Sequence, residues 1–422
     1  MGCKVTYVPL GELAEFESGG TPRKNEDSYW NGAIPWISAK TLKGDTVYKS
    51  DLYITEEGLA AGSKLAPQGS LLLLTRGSGL FKRIPIAMAG KDVAYNQDIK
   101  CIRATANGIS NRYLFYALRS LEPAISTMLE TTGIGAGKLA TDRLKGLPVP
   151  ILDGISRAKV TYFADCIYDK VALNAKLNGY LLELLKASAK NLYAEYERNE
   201  ELELPVGWRW IKVDEISEMV CRGITPKYNP NSDETVLGQT CVRNNLVLLE
   251  NGRLHSPKKV TEKWLQKYDL LINSTGVGSL GRTAQVWFEP TKLVVDSHIT
   301  IVRCKDKKHA LYLGFWAFEH EKYIESLHTG STGQTELPRD HVKAIRLVLP
   351  SDEVLERFNK MSEPSVRLIA ANQEESKRLA DLRDALLPKL VSGEIDVSKV
   401  DLTQLNSHLA FLCWRSVDLT GS

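Results

Sequence analysis

The chain has 422 residues, 54 basic against 51 acidic, a net charge of +3, 43% hydrophobic and 25% charged residues. This composition excludes a disordered, collagen-like or disulfide-rich secreted protein, and the length predicts two to three domains of roughly 150 residues each. Seven cysteines (3, 101, 166, 221, 241, 304 and 413) include no C-x-x-C pair. A disulfide framework and a zinc site are therefore not expected, and reduced thiols fit a cytoplasmic protein. No apolar run is long enough to span a membrane, and the start has no secretory design. Gly2 and Cys3 could hint at lipidation, but no lipid anchor is expected.

Residues 1–150 open with short apolar runs bounded by Gly, Pro and Asn, among them Leu71–Thr75 and Ile99–Arg103. Those are strand signals. A short helix is expected near Asn111–Leu118, and a proline-marked strand closes the segment at Pro150. Between 155 and 198, Val160, Phe163, Ile167, Val171, Leu177, Leu181, Leu184 and Leu185 recur at three- and four-residue steps. This predicts one helix about 65 Å long with a heptad-like seam. Strand signals resume at Ile299–Arg303, a short helix is expected near Ala310–His320, and a strand closes at Pro350. A second seam follows through Phe358, Met361, Leu368, Asn372, Leu379, Leu382 and Leu386, with Pro364 predicted to kink or restart the helix.

The chain repeats itself at an offset of about 200 residues. Gly20-Thr21-Pro22 matches Ile224-Thr225-Pro226. Thr75-Arg76-Gly77 matches Ser274-Thr275-Gly276, Asn96-Gln97-Asp98-Ile99 matches Asp296-Ser297-His298-Ile299, and Leu147-Pro148-Val149-Pro150 matches Leu347-Val348-Leu349-Pro350. Two copies of this length mean duplicated domains rather than a solenoid. Asn174 and Asn372 occupy equivalent seam positions, where a polar residue can set helix register. Charge follows the repeat: residues 1–150 carry 18 basic and 14 acidic groups, a net of +4, and residues 201–350 carry 20 and 18, a net of +2. Mildly basic globular parts permit nucleic-acid binding, but with shape and base readout rather than charge alone.

Ser18-Gly19-Gly20-Thr21-Pro22, Tyr29-Trp30-Asn31-Gly32 and Ile34-Pro35-Trp36-Ile37-Ser38 resemble the opening of a target-recognition domain. That domain belongs to the specificity subunits of type I restriction–modification systems. Arg222-Gly223-Ile224-Thr225-Pro226-Lys227-Tyr228, Asn273–Arg282 and Asp296-Ser297-His298-Ile299-Thr300 look like the same motifs again. The resemblance covers the chain to about residue 397. It implies an α+β fold with two tandem globular target-recognition domains, separated by long helices that pair as an antiparallel coiled coil. The corresponding boundaries are 1–152 and 204–350 for the domains, 153–203 and 351–397 for the helices, and 398–422 for an extension. The extension carries the apolar cluster Leu409–Trp414 and departs from the family pattern.

The resemblance further implies a non-catalytic subunit that reads a split DNA target. The unlike loops of the two copies make that target asymmetric. Half-sites about 34 Å apart would lie on one DNA face. Implied partners are double-stranded DNA, two methyltransferase subunits and nuclease–translocase subunits, with no membrane. S-adenosylmethionine and the flipped adenine belong to the methyltransferase, and no cofactor or metal is expected here.

Two glycine segments come near catalytic motifs. Gly276–Gly281 fits G-x-G-x-x-G, but Thr283–Phe288 reads as strand where a dinucleotide site needs a helix, so a hairpin turn is expected. Gly133–Lys138 lacks the first glycine and the Ser or Thr of a phosphate loop and reads as a flexible loop near DNA. No adenine methyltransferase motif is present, and no histidine pair has metal-ligand spacing. Loop-borne polar residues beside the repeated motifs are the expected DNA contacts. In the first copy they are Thr21, Arg23, Lys24, Lys40, Arg76, Lys82, Arg83 and Gln97. In the second they are Thr225, Lys227, Tyr228, Arg243, Asn273, Arg282, His298 and Gln334. Two alternatives remain at this level: the specificity chain of another restriction assembly with a fused nuclease–methylase partner, and a nucleotide-binding enzyme built on 276–281.

Overall fold

The computed structural model describes residues 4–132, 135–256, 263–330 and 335–399. The chain divides into two compact units. The first comprises residues 1–172 and 376–422, and the second residues 173–375. Residues 400–422, including the apolar cluster at 409–414, lie outside the described set.

In the first unit, Val5–Pro9 pairs antiparallel with Pro148–Leu152, joining the two ends of the globular segment. A five-stranded sheet has the order Ala14–Ser18, Ile99–Ala104, Leu71–Leu74, Ile86–Ala89, Thr46–Val47. A four-stranded sheet has the order Tyr53–Ile54, Trp30–Ile37, Val93–Tyr95, Leu65–Ala66. Leu71–Leu74 is buried at every position, as a central strand covered on both faces must be. Helix α1 (Asn111–Ser120) starts where the Ser110 hydroxyl accepts from Tyr113 N at 3.1 Å. Its inner face buries Tyr113, Leu114 and Phe115.

Helix α2 (Gly154–Arg198) is a single 45-residue helix and contributes to both units. The second unit repeats the plan of the first. Arg209–Lys212 pairs with Arg346–Leu349. The main sheet has the order Ser217–Arg222, Ile299–Cys304, Leu270–Asn273, Thr283–Gln285. A three-stranded sheet has the order Arg253–His255, Glu234–Leu237, Leu293–Val295. Helix α3 (Ala310–Glu319) is buried along almost its whole length. Equivalent anchors recur in the two units. The Tyr113 hydroxyl donates to Pro150 O at 2.8 Å, and the Tyr312 hydroxyl to Val348 O at 2.5 Å.

Helix α4 (Asp352–Val391) runs through Pro364 without a break, so the predicted restart there is not observed. Proline removes one backbone bond, but Ser362, Val366 and Ile369 around it are buried, and that packing holds the helix. The predicted seams also need correction. Leu177, Leu184, Met361, Leu368 and Leu382 are exposed. The buried line of α2 instead runs through Val160, Ala164, Ile167, Asn174, Asn178, Leu182, Leu185, Ala189 and Tyr193. A line drawn through leucines mixes inward and outward positions, because it does not keep to one face of the helix.

Within the second unit the polar seam residues meet. Asn372 Nδ2 donates to Asn178 Oδ1 at 2.7 Å, and Asn178 Nδ2 to Ile369 O at 3.2 Å. Asn174 Nδ2 donates to Glu375 Oε2 at 2.8 Å. Contacts on α4 descend in number as those on α2 ascend, so the two segments run antiparallel there. Within the first unit, Leu387, Leu390 and Val391 of α4 join the core that contains Val160 and Ala164 of α2. Arg383 lies over the Tyr168 ring, 4.8 Å from its centroid. Among the described residues, no helix is long and apolar enough to cross a membrane.

Asn372→Ala should lower unfolding free energy by about 1–3 kcal/mol, because it strands the buried Asn178 carbonyl oxygen. Urea denaturation of the purified chain measures this, and an unchanged midpoint would show that the asparagine cluster contributes nothing to stability.

Candidate nucleic-acid interface

In the first unit the strand Ala14–Ser18 runs into Gly19-Gly20-Thr21. A Cβ on Gly19 would sit 2.2 Å from Tyr95 O and 2.5 Å from Asn96 O, and one on Gly20 would sit 2.2 Å from Gly62 O. No side chain fits at either place, so the backbone lies directly on its neighbours. Gly20 N donates to Tyr95 O at 2.9 Å, and Trp36 Nε1 donates to Gly20 O at 3.0 Å. Burial pushes the Tyr95 phenol well above its ordinary pKa, so it stays neutral.

This close approach delivers Thr21 to Gln97, and Thr21 Oγ1 donates to Gln97 Oε1 at 2.6 Å. Asn96 and Asp98 close a small turn beneath Gln97, with Asp98 N donating to Asn96 Oδ1 at 3.2 Å. Thr75 N donates to Asp98 O at 2.7 Å, which places Arg76 on the adjoining strand. Arg76 pairs in register with Lys138. Thr21, Gln97 and Arg76 are thus brought to one edge, joined by Lys138, which stands in none of the repeated motifs.

The remaining expected contacts of this unit stand elsewhere. Arg23 and Lys24 are exposed on the following loop, where Arg23 O accepts from Trp30 Nε1 at 3.0 Å. Lys40 is exposed and 3.8 Å from Asp51. Lys82 and Arg83 line a cavity of about 380 Å³ with Arg119, Glu122, Tyr168 and Asp384. Gly137–Lys138 is not free loop as expected, but the middle strand of a small ladder between Glu130–Thr131 and Arg76–Gly77. Gly133 and Ile134 lie outside the described residues.

The second unit builds the same edge with different side chains. A Cβ on Gly223 would meet Val295 O at 2.1 Å and Asp296 O at 2.3 Å. Ile224 N donates to Val295 O at 2.9 Å, Ser274 N to His298 O at 2.9 Å, and Leu337 N to Ser274 O at 2.8 Å. These bonds match those of Gly20, Thr75 and Leu139 in the first unit. Asp296 Oδ1 accepts from His298 N at 2.9 Å, and burial raises the pKa of that carboxyl. Thr275 Oγ1 lies 2.9 Å from His298 Nδ1. Gln239 Nε2 donates to Thr275 Oγ1 at 2.8 Å and to Thr275 O. Arg222 Nη2 reaches Glu336 Oε1 and Leu337 O, both at 2.8 Å, and burial pulls the pKa of its guanidinium down.

Thr225 and Lys227 are exposed near this edge. Tyr228 is stacked under Arg253, whose guanidinium carbon lies 3.6 Å from the ring centroid, and Arg253 also donates to the Tyr228 hydroxyl. Arg243 is half-buried in a tight hairpin whose turn residues Asn244 and Asn245 have φ of 52° and 61°. Arg282 is half-buried in the glycine turn.

Asn273 corrects the sequence expectation. It is fully buried, and its Nδ2 donates to Gln239 O at 3.1 Å, so its side chain cannot reach DNA in this conformation. Gln334 lies outside the described residues. Gln239 and Arg253 escape a reading of the sequence because neither belongs to a repeated motif, and only the fold brings them to Thr275 and Tyr228.

The glycine segment 276–281 connects antiparallel strands Leu270–Asn273 and Thr283–Gln285, with positive φ at Gly276, Gly278 and Gly281. A strand follows it, so the helix N-terminus that a dinucleotide pyrophosphate requires is missing from this site. Among the described residues, no group of three His, Cys, Asp or Glu could hold a metal ion.

Residues 4–176 match the type I restriction modification DNA specificity domain family. The chain is 25% identical to the specificity subunit of the MjaIX type I restriction enzyme of Methanocaldococcus jannaschii, over 93% of both chains. It is 33% identical over 150 residues to a type I restriction enzyme specificity subunit of Escherichia coli, covering 35% of this chain and 37% of that one. A crystal structure of the type I S subunit from M. genitalium has the same fold at 14% identity, with a TM-score of 0.57 over 92% of this chain and 96% of that one.

Gly223→Ala should destabilise the chain by about 2 kcal/mol or more, since the new methyl has no space against two carbonyls. Gly179→Ala, on an exposed turn of α2 with nothing within 4 Å, should instead stabilise by about 0.5–1 kcal/mol. Paired urea titrations check both signs.

Proposed function

Because the chain is a type I restriction–modification specificity subunit, carrying the family's DNA specificity domain at residues 4–176, we propose that its two units read the two halves of one split, asymmetric DNA target. The observation that carries this is the repeated edge. The same backbone bonds present Thr21, Gln97 and Arg76 in one unit and Thr225, Thr275 and His298 in the other. A shared scaffold with unlike polar groups is what two different half-sites require, because hydrogen-bonding patterns at base edges carry sequence. The chain is a non-catalytic recognition subunit, and the nucleotide-binding alternative is not favoured.

In this reading 1–152 and 204–350 are tandem target-recognition domains, and α2 and α4 pair as an antiparallel coiled coil. Asn174 and Asn372, with Asn178, set the register of that pair, since any slip would bury unmatched amides. The helices also dock partners. In the second unit, Leu177, Tyr180 and Leu184 of α2 and Met361 and Leu368 of α4 stand exposed at helical spacing. Apolar side chains at such spacing fit a partner helix laid along them. Two methyltransferase subunits are the expected occupants, with nuclease–translocase subunits joining the assembly. S-adenosylmethionine is held by the methyltransferase, and this chain holds no cofactor or metal.

The direct test combines the chain with its methyltransferase and maps methylated adenines in genomic DNA. A split asymmetric motif that disappears when this chain is omitted is the expected result. Chain-independent methylation, from a methyltransferase shown to be folded and bound, would refute the reading. Arg76→Ala should weaken DNA binding and reduce the slope of log affinity against log salt by about one unit if Arg76 meets a phosphate. If it instead reads a base, the loss should fall on one position of the first half-site and leave the slope nearly unchanged.

A further inference from the structure

We infer that His298 is a base-reading residue whose Nε2 is held as a hydrogen-bond donor by a Gln239–Thr275 relay, and that it selects a base with an acceptor edge in the second half-site. The inference rests on the reading of the chain as a DNA-recognition subunit and deepens it.

The chemistry follows from which atoms can donate. Thr275 O is a carbonyl and can only accept, so the Gln239 atom against it must be the amide nitrogen, which settles the orientation of that amide. The same Nε2 donates to Thr275 Oγ1 at 2.8 Å. The Thr275 hydroxyl, accepting there, keeps one proton to donate, and in this assignment it goes to His298 Nδ1, 2.9 Å away. A neutral imidazole that accepts at Nδ1 carries its proton on Nε2. Protonation at Nδ1 would leave that Nε2–H in place, so the outward nitrogen is a donor in both charge states.

The residue is also held still. Its backbone N donates to Asp296 Oδ1 at 2.9 Å, and its carbonyl accepts from Ser274 N at 2.9 Å. Gly276 makes room for the relay. A Cβ there would lie 2.8 Å from Ser279 Oγ and 3.0 Å from the Gln239 amide, and φ is +91°. An exposed imidazole restrained at ring and backbone loses little freedom when it binds, which is how a recognition group gains selectivity. The first unit differs at the corresponding positions. Asp98 stands in place of His298 and Arg76 in place of Thr275, so a carboxylate acceptor replaces the donor.

A lone donor is best matched by guanine N7 or O6, adenine N7 or thymine O4 in the major groove. It is worst matched by cytosine, whose edge there offers a donor. The experiment uses the full chain assembled with its methyltransferase and a duplex panel carrying every single-base change in both half-sites. Wild type should reject cytosine at one position of the second half-site by roughly tenfold or more. His298→Ala should lose that discrimination at that position alone, and Thr275→Val should lose most of it at the same position.

Discrimination retained across the first half-site serves as the folding control for each variant. Gln239→Leu carries the same expectation as Thr275→Val should the latter fail that control. Unchanged profiles in His298→Ala would overturn the inference, as would a uniform loss at all positions, the mark of a phosphate contact. Loss in His298→Ala with an intact profile in both Thr275→Val and Gln239→Leu would overturn the relay. A wild-type complex that methylates no split motif would refute the recognition reading itself, and is distinguished from these outcomes because it needs no variant.

Discussion

The polar edge in each unit depends on one steric constraint: a glycine backbone laid on two carbonyl oxygens. At Gly19 and Gly223 a methyl group would sit little more than 2 Å from those oxygens. Because no side chain intervenes, the strand leading into the motif can close on the loop 95–98 or 295–298. The hydrogen bonds that follow are short and repeated, from Gly20 N to Tyr95 O and from Ile224 N to Val295 O. They carry the next residue, Thr21 or Thr225, to the rim.

Once the backbone is pinned, side chains at the rim are free to differ. Gln97 is replaced by Ser297, Asp98 by His298, Arg76 by Thr275 and Lys138 by Glu336, while the bonds holding those positions persist. The first edge therefore carries Arg76 beside Lys138, whereas the second carries Thr275 beside Glu336, with Glu336 paired to Arg222. Scaffold and rim chemistry are separable because the scaffold is made by main-chain groups, which every residue type carries.

The helices show where residue patterns mislead. The heptad-like steps correctly imply two long helices, and Asn174 and Asn372 do lie in buried positions. The same steps divide the leucines wrongly between inside and outside, since Leu184 is 61% exposed whereas Ala164 and Ala189 are fully buried. Alanine gives a weak hydropathy signal yet is favoured where backbones approach closely, and outward leucines suit a surface that other chains cover. Asn178 carries no such signal, because Ser376 rather than an asparagine stands at the matching position of α4, and its partners, Asn372 and Ile369, are almost two hundred residues away.

The mixed helix–sheet fold, the extent of α2 and the family were all legible in the residue order, because each depends on local periodicity or on motifs that the chain itself carries. The hairpin at 276–281 was legible for the same reason: strand formers follow it, and a nucleotide site would need a helix. The tertiary structure alone decided that Asn273 is buried, that Pro364 leaves its helix whole, and that Gln239 meets Thr275, which in turn meets His298. Each of these is a question of which distant atoms share a hydrogen bond or exclude solvent. Chain folding sets those pairings, and no property of the residue itself records them.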